Sequence, residues 1–215
     1  IVEAIVGRRG VSKGRINVFG LDCRDNQLEV NKLIGFVPQH PEIDFRQSVL
    51  ENLRSSVLRW SVGSGEQKAL SIAGELGLSD LLDVPAKNLS GGQMRLLSIA
   101  MELLREPRVL LLDEPTSGLD PVSRNQIISI LSDLVAGGTT VLYTTHFMDE
   151  LESCDEVIFV KKGVLVAGGE PDALLKKMVG GGKIVELTLA KPSDAVLASL
   201  NALKSVAHVI SEGRV

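Results

Sequence analysis

The chain has 215 residues with a formal net charge of −4; 44% of them are hydrophobic, 23% charged and only 3% aromatic. That length suits one sizeable α/β domain with a small appendage, its core built from Leu, Ile and Val. The acidic balance leaves no electrostatic footprint for nucleic acid, and no run approaches the roughly 18 apolar residues of a membrane span. In chain order, Ile1, Val2, Ala4 and Ile5 sit at helical spacing ahead of Gly7, with no capping residue before them. Ile16 to Phe19 reads as a strand closed by Gly20, and Leu33 to Val37 as another running into Pro38-Gln39-His40. Ser48 and Glu51 form a capping box for a helix whose apolar face is Val49, Leu50, Leu53, Val57 and Leu58. A second helix runs from about Glu66 to Leu76 and stops at Gly77.

The loop Val84 to Asn88 leads to Leu89-Ser90-Gly91-Gly92-Gln93, followed by a helix with Leu96, Leu97, Ala100, Leu103 and Leu104 on one side. Val109 to Leu112 is a continuous apolar run, the pattern of a strand buried on both faces of a parallel sheet. Asp120-Pro121 is an N-cap and first-turn pair opening a helix that ends at Gly137-Gly138. Thr140 to Thr145 is the next buried strand, so the order is that of parallel crossovers. Beyond it, Glu156 to Val160 and Val164 to Ala167 flank Lys161-Lys162-Gly163 as a hairpin. Pro171 then opens a short helix. Gly180-Gly181-Gly182 marks a boundary by composition, and Ile184 to Leu189, a helix from Ser193, and Val206 to Ile210 make a small β-α-β unit. Cys23 and Cys154 fit no metal-ligand spacing and read as two free thiols of a reducing compartment.

Chemistry concentrates at the ends of these elements. A buried strand that ends in Asp113-Glu114 delivers two carboxylates to the C-terminal edge of a parallel sheet, where α/β folds place ligands. Successive residues face opposite ways, so the two have different tasks: one can hold Mg²⁺ and the other can orient an attacking water. Such a pair can also simply cap the following turn. Ser90 to Gln93 offer two glycines, a hydroxyl and the unpaired N–H groups of a helix start, a combination that suits phosphate and equally makes a Gly-rich turn. Gln39 and His146 each stand just beyond a strand end.

In this order and spacing, Gln39, Leu89 to Gln93, Val109 to Glu114, Ser117-Gly118-Leu119-Asp120 and His146 resemble the nucleotide-binding domain of ABC transporters over residues 1–178. The resemblance implies an α/β, P-loop NTPase-like parallel sheet with helices on both faces. It also implies an inserted helical subdomain at about 46–104, a Gly-rich linker at 179–183 and a partial C-terminal extension at 184–215. By the same resemblance the ligands are ATP and Mg²⁺. Gln39 is similar to the glutamine that senses Mg²⁺ and the γ-phosphate, and Asp113 to the aspartate that supports Mg²⁺. Glu114 resembles the general base, and His146 the histidine that steadies charge on the γ-phosphate. Ser90, Gly91, Gly92 and Gln93 resemble the signature motif, which in this family closes over ATP held by a second ATPase domain, as homo- or heterodimer. Asp120 resembles the aspartate that connects the two sites. A transmembrane permease is the other implied partner, with 40–54 as the expected contact. The location implied is cytoplasmic, peripheral on the inner face of the membrane, with no nucleic acid bound.

The family also uses a phosphate loop of the form GxxxxGK[ST], and no such run occurs in this chain. Gly7 to Gly14 has the composition but the wrong spacing, and it follows the first helix instead of opening it. Ile1 to Gly7 match the continuation of the helix that the phosphate loop opens, so the core is read as starting just past that loop. The 215-residue chain alone is therefore expected to bind ATP weakly in its own main site and to hydrolyse it negligibly. The strand-helix-strand character of 184–215 resembles the extension of ABC-2 type exporter ATPases and favours export. Two alternatives are a degenerate, non-catalytic partner subunit and a non-transport ABC ATPase acting on ribosomes. Against the first, Asp113, Glu114 and His146 are all present; against the second, the chain has neither paired cassettes nor a coiled-coil insertion.

Overall fold

The computed structural model describes residues 1–178 together with residues 196, 199, 200, 202 and 203. Its elements are α1 (Val2–Ile5), β1 (Asn17–Val18), β2 (Leu21–Asp22), α2 (Gln27–Leu33), β3 (Ile34–Val37), α3 (Val49–Trp60) and α4 (Gly65–Glu75). They continue with α5 (Gly91–Leu103), β4 (Val109–Leu112), α6 (Pro121–Ala136), β5 (Thr140–Tyr143), β6 (Val157–Lys161), β7 (Val164–Gly169) and α7 (Pro171–Met178). Short 3-10 helices occupy Ser79–Leu81, Ala86–Asn88 and Met148–Ser153. The chain divides into two units, Ile1–Asp155 and Glu156–Val215.

In the first unit β3, β4 and β5 form a parallel sheet with β4 in the middle, Leu110 lying between Gly35 and Val141 in register. The period of two along β4 sorts its side chains to opposite faces. Leu110 and Leu112 join the larger core with Val37, Leu53, Leu97, Ile127 and Leu131, beneath α3 to α6. Leu111 and Ile34 join a smaller core with Val2, Cys23 and Val30, beneath α1 and α2. Helices therefore cover both faces, and the apolar run at 109–112 is explained: no side of that strand meets water.

Local chemistry sets the element ends. Ser48 Oγ accepts the Glu51 N–H at 3.2 Å and Glu51 Oε2 accepts the Ser48 N–H at 2.7 Å, the reciprocal cap its spacing predicts. The buried stripe of α3 is Val49, Asn52, Leu53 and Ser56, rotated away from the predicted face, and Leu58 is 79% exposed. Asn52 draws the stripe round because its amide donates to the Asp44 and Ser48 carbonyls and accepts the Asp44 N–H, fixing the turn before the helix. The first predicted strand shortens to Asn17–Val18 because Phe19 and Gly20 turn with φ of 49° and 82°, sending the chain back as β2. Helix α2 is a correction: Leu33 closes a helix and does not open a strand. Of its apolar residues only Val30 is buried while Leu28 is 74% exposed, too thin a stripe to read from periodicity.

The second unit carries the predicted hairpin. β6 and β7 pair antiparallel around Lys162 and Gly163, whose φ values of 50° and 77° suit a tight turn, and α7 packs on β7. The Gly-rich linker at 179–183 and the strands predicted at 184–189 and 206–210 lie outside the described residues; Val196, Ser199 and Leu200, within the predicted helix, are helical. Cys23 and Cys154 are both free thiols.

Glu102 on α5 closes the outer edge of β3 by accepting the Phe36 N–H at 3.0 Å. Burial raises its carboxyl above the ordinary 4.5, while Arg105 beside it pulls the other way. A raised native value means that the folded chain binds more protons than the unfolded chain above pH 4.5. Stability from this group is thus greatest at low pH and falls as pH rises through its native titration. Glu102→Gln keeps an acceptor for Phe36 and removes the charge. Urea unfolding is expected to show the variant gaining on the parent as pH rises above the ordinary carboxylate range; an unchanging difference would refute this role.

Candidate active site

The ladder of the parallel sheet runs on past the strands. The Asp113 N–H donates to Val37 O at 2.9 Å and the Thr144 N–H to Leu112 O at 3.0 Å. This brings the residues following β3, β4 and β5 to one edge: Gln39, Asp113 with Glu114, and Thr144 with His146. The Gln39 amide donates to Glu114 Oε2 at 3.0 Å, and His146 Nδ1 lies 3.9 Å from the same oxygen. Glu114 stands in the left-handed region, φ 45°, a backbone that a non-glycine residue keeps only when its surroundings hold it there. His146 is 59% exposed and packs on Phe147, ring centroids 4.2 Å apart, with Arg124 over the far ring.

Asp113 has one oxygen engaged: Oδ1 accepts the Thr144 hydroxyl at 2.7 Å. Among the described residues Oδ2 accepts no hydrogen bond. A carboxylate oxygen without a hydrogen bond fits Mg²⁺, which keeps several of its waters and takes one or two protein carboxylates. It does not fit an all-protein cage, and no cluster of three or more His, Cys, Asp or Glu able to hold a metal occurs among the described residues.

Two residues not singled out from sequence support this edge. Thr144 is one, from the Thr144-Thr145 pair after β5. Arg95 is the other: only 5% exposed, it donates to the Pro38 and Gln39 carbonyls at 2.7 and 2.8 Å. Burial lowers its guanidinium below the ordinary value, and the Asp113 carboxylate opposes that shift. Its one sequence signal is a cation heading the stretch from Leu96 to Met101 of α5, apolar but for Ser98.

Ser90 to Gln93 and Asp120 form a second group at the starts of α5 and α6, with no hydrogen bond to the first group among the described residues. Ser90 Oγ accepts the Gln93 N–H at 3.2 Å and Gln93 Oε1 accepts the Ser90 N–H at 2.8 Å, a second capping box. That leaves the Ser90 hydroxyl proton free to donate. Asp120 caps α6 through the Val122 and Ser123 N–H groups, both at 3.0 Å, and accepts the Ser123 hydroxyl at 2.6 Å. The Ser123 hydroxyl, then these N–H groups, hold the Asp120 carboxyl below its ordinary range. The glycines have a packing reason as well. A Cβ on Gly91 would meet Leu119 at 3.2 Å, and one on Gly92 would meet the Ser123 hydroxyl at 2.8 Å.

A cavity of about 290 Å³ lies between α6 and the 3-10 helix Met148–Ser153, lined by Arg124, Asn125 and Asp149 among others; no candidate residue lines it. The candidate site is an open sheet edge instead.

Residues 1–117, more than half of the chain, match the family model described as ABC transporter. The chain is 35% identical over 199 residues to the Nod factor export ATP-binding protein I of Neorhizobium galegae, covering 88% of this chain and 57% of that protein. It is 33% identical over 211 residues to the linearmycin resistance ATP-binding protein LnrL of Bacillus subtilis, covering 97% of this chain and 67% of that one. The chain thus spans between about half and two thirds of the length of these relatives. Among solved structures, cbiO1 from Clostridium perfringens, part of the ABC transporter complex cbiONQ, superposes with a TM-score of 0.74 at 28% identity, over 83% of this chain and 75% of that one. A dimeric ATP-binding cassette bound to ADP and Pi shares the fold, with a TM-score of 0.69 at 23% identity over 79% of this chain and 78% of that one.

Proposed function

We propose, from the premise that the chain belongs to the ABC transporter family, that it is part of the ATP-binding and ATP-hydrolysing subunit of an exporter. The observation that carries this reading is the meeting of Gln39, Glu114 and His146 on one carboxylate oxygen beside Asp113. Glu114 takes the proton of the attacking water, and Gln39 and His146 orient the carboxylate and the γ-phosphate next to it. Asp113, with Gln39, would hold Mg²⁺, which when bound would neutralise charge on the phosphates. Ser90 Oγ–H and the N–H groups opening α5 serve the ATP of a second ATPase domain, and Asp120 links the two sites. Phosphoryl transfer needs little more from a protein than such positioning and charge.

A transmembrane permease is the second partner in this reading, docking at 40–54, which places the subunit on the inner face of the membrane. No helix among the described residues is long and apolar enough to cross a membrane by itself. Export is supported by what the relatives are named for. Residues 1–178 act as the ATPase core and 184–215 as part of an extension. The presence of Asp113, Glu114 and His146 in one edge supports catalysis over the role of an inactive partner. Phosphate release from Mg·ATP by the full-length subunit, purified with its membrane partner, is the test. Release that rises when the transported compound is added is expected, and none at all overturns the reading.

A further inference from the structure

The backbone of Glu114 is where the candidate edge stores strain. A non-glycine residue at φ 45° lies in a sparsely populated region and persists only where its surroundings hold it there. The hold comes from the next strand: the Glu114 N–H donates to Thr144 Oγ1 at 2.9 Å. The same hydroxyl donates to Asp113 Oδ1 at 2.7 Å. The direction of both bonds is decided by chemistry. A carboxylate oxygen only accepts and an amide N–H only donates, so the one Thr144 proton goes to Asp113 and a lone pair is left for Glu114. Thr144 is itself fixed, because its N–H is tied to Leu112 O at 3.0 Å and so cannot follow a shift of Glu114.

We propose that Thr144 is a positioning residue for hydrolysis, its hydroxyl bridging the carboxylate of Asp113 to the backbone of Glu114. The bridge holds the left-handed turn and keeps the Glu114 carboxylate against Gln39 and His146. It also orients Asp113, since Oδ1 is committed to Thr144 and Oδ2 alone is left without a hydrogen bond among the described residues. The inference rests on the proposed ATPase reading and deepens it: the two carboxylates are set by one group on a neighbouring strand.

Thr144→Val and Thr144→Ser separate hydroxyl from shape. Valine has the same outline and suits a strand end, but offers neither donor nor acceptor, so the Glu114 N–H and Asp113 Oδ1 both lose their partner. Serine keeps the hydroxyl and drops the methyl. In the full-length subunit with its membrane partner, Thr144→Val is expected to lower kcat about 10- to 100-fold, the range found when a partner supporting a metal-site ligand is lost. KM for Mg·ATP is expected to stay close to that of the parent, the melting temperature of Thr144→Val to fall by a few degrees because two groups lose their partner, and Thr144→Ser to restore most of kcat and of the melting temperature. An unchanged kcat in Thr144→Val overturns the proposal, as does an equal loss in both variants or a loss confined to KM. A parent subunit that releases no phosphate defeats the ATPase reading itself, an outcome separate from any difference between variants.

Discussion

Glu114→Gln in the full-length subunit is expected to cut ATP hydrolysis by about two to four orders of magnitude, the span that a positioned general base contributes, while ATP binding and dimerisation persist. The geometry explains why the variant isolates proton transfer. Gln39 donates to Glu114 Oε2 at 3.0 Å, and a glutamine carbonyl can still accept that bond, though less strongly than a carboxylate. The left-handed backbone is held through the main-chain N–H by Thr144, which the substitution leaves intact. What is lost is the carboxylate's charge and its basicity. Phosphate release and nucleotide-dependent dimerisation, measured on the same preparation, check the result: unchanged turnover removes Glu114 from the role of base, and lost binding shows that its role is structural.

The second large effect is expected at Arg95, and it is mainly one of stability. Its guanidinium is almost wholly buried and its two arms carry the carbonyls of consecutive residues, Pro38 and Gln39. Hydrogen bonds from a charged donor contribute about 1.5–3 kcal/mol each. Arg95→Ala loses both and leaves a void in α5, so a loss of at least about 3 kcal/mol is expected, roughly 10 °C or more in melting temperature for a chain of this size. Arg95→Lys can reach one carbonyl but lacks the planar fork that serves two, and should fall between. Calorimetric or fluorescence melting of the three proteins ranks them; an alanine variant as stable as the parent would show that the clamp holds nothing.

These two sites illustrate what the sequence discloses and what it hides. Glu114 ends an apolar run, and a run of that kind announces both the central strand and the carboxylates at its tip. The reciprocal cap at Ser48 and Glu51 is likewise legible, because both partners lie within one helical turn. The same spacing recurs at Ser90 and Gln93, where two glycines turn attention to a ligand and away from the cap. Arg95 and Thr144 are another matter. Their partners are 56 and 31 residues distant, and nothing local selects them. Thr144 matters because β5 lies beside β4 in register, a fact of sheet order. Helix α2 was hidden for a different reason: a helix that buries one residue completely has no stripe to detect. Leu58 misleads in the opposite direction, being apolar, correctly spaced and exposed.

The contact of Gly92 with Ser123 carries a mechanical consequence. Most helix pairs touch through side chains whose torsions can absorb a small displacement, as a spring absorbs a push. Here a glycine hydrogen faces the hydroxyl and Cβ of a residue that is itself bonded to the Asp120 carboxylate. Only the Ser123 side chain, held by its hydrogen bond to Asp120, stands between the start of α5 and the start of α6 at this point. A displacement of the turn at Ser90 would bear on Ser123 first and, through that one hydrogen bond, on Asp120, as one gear tooth drives the next.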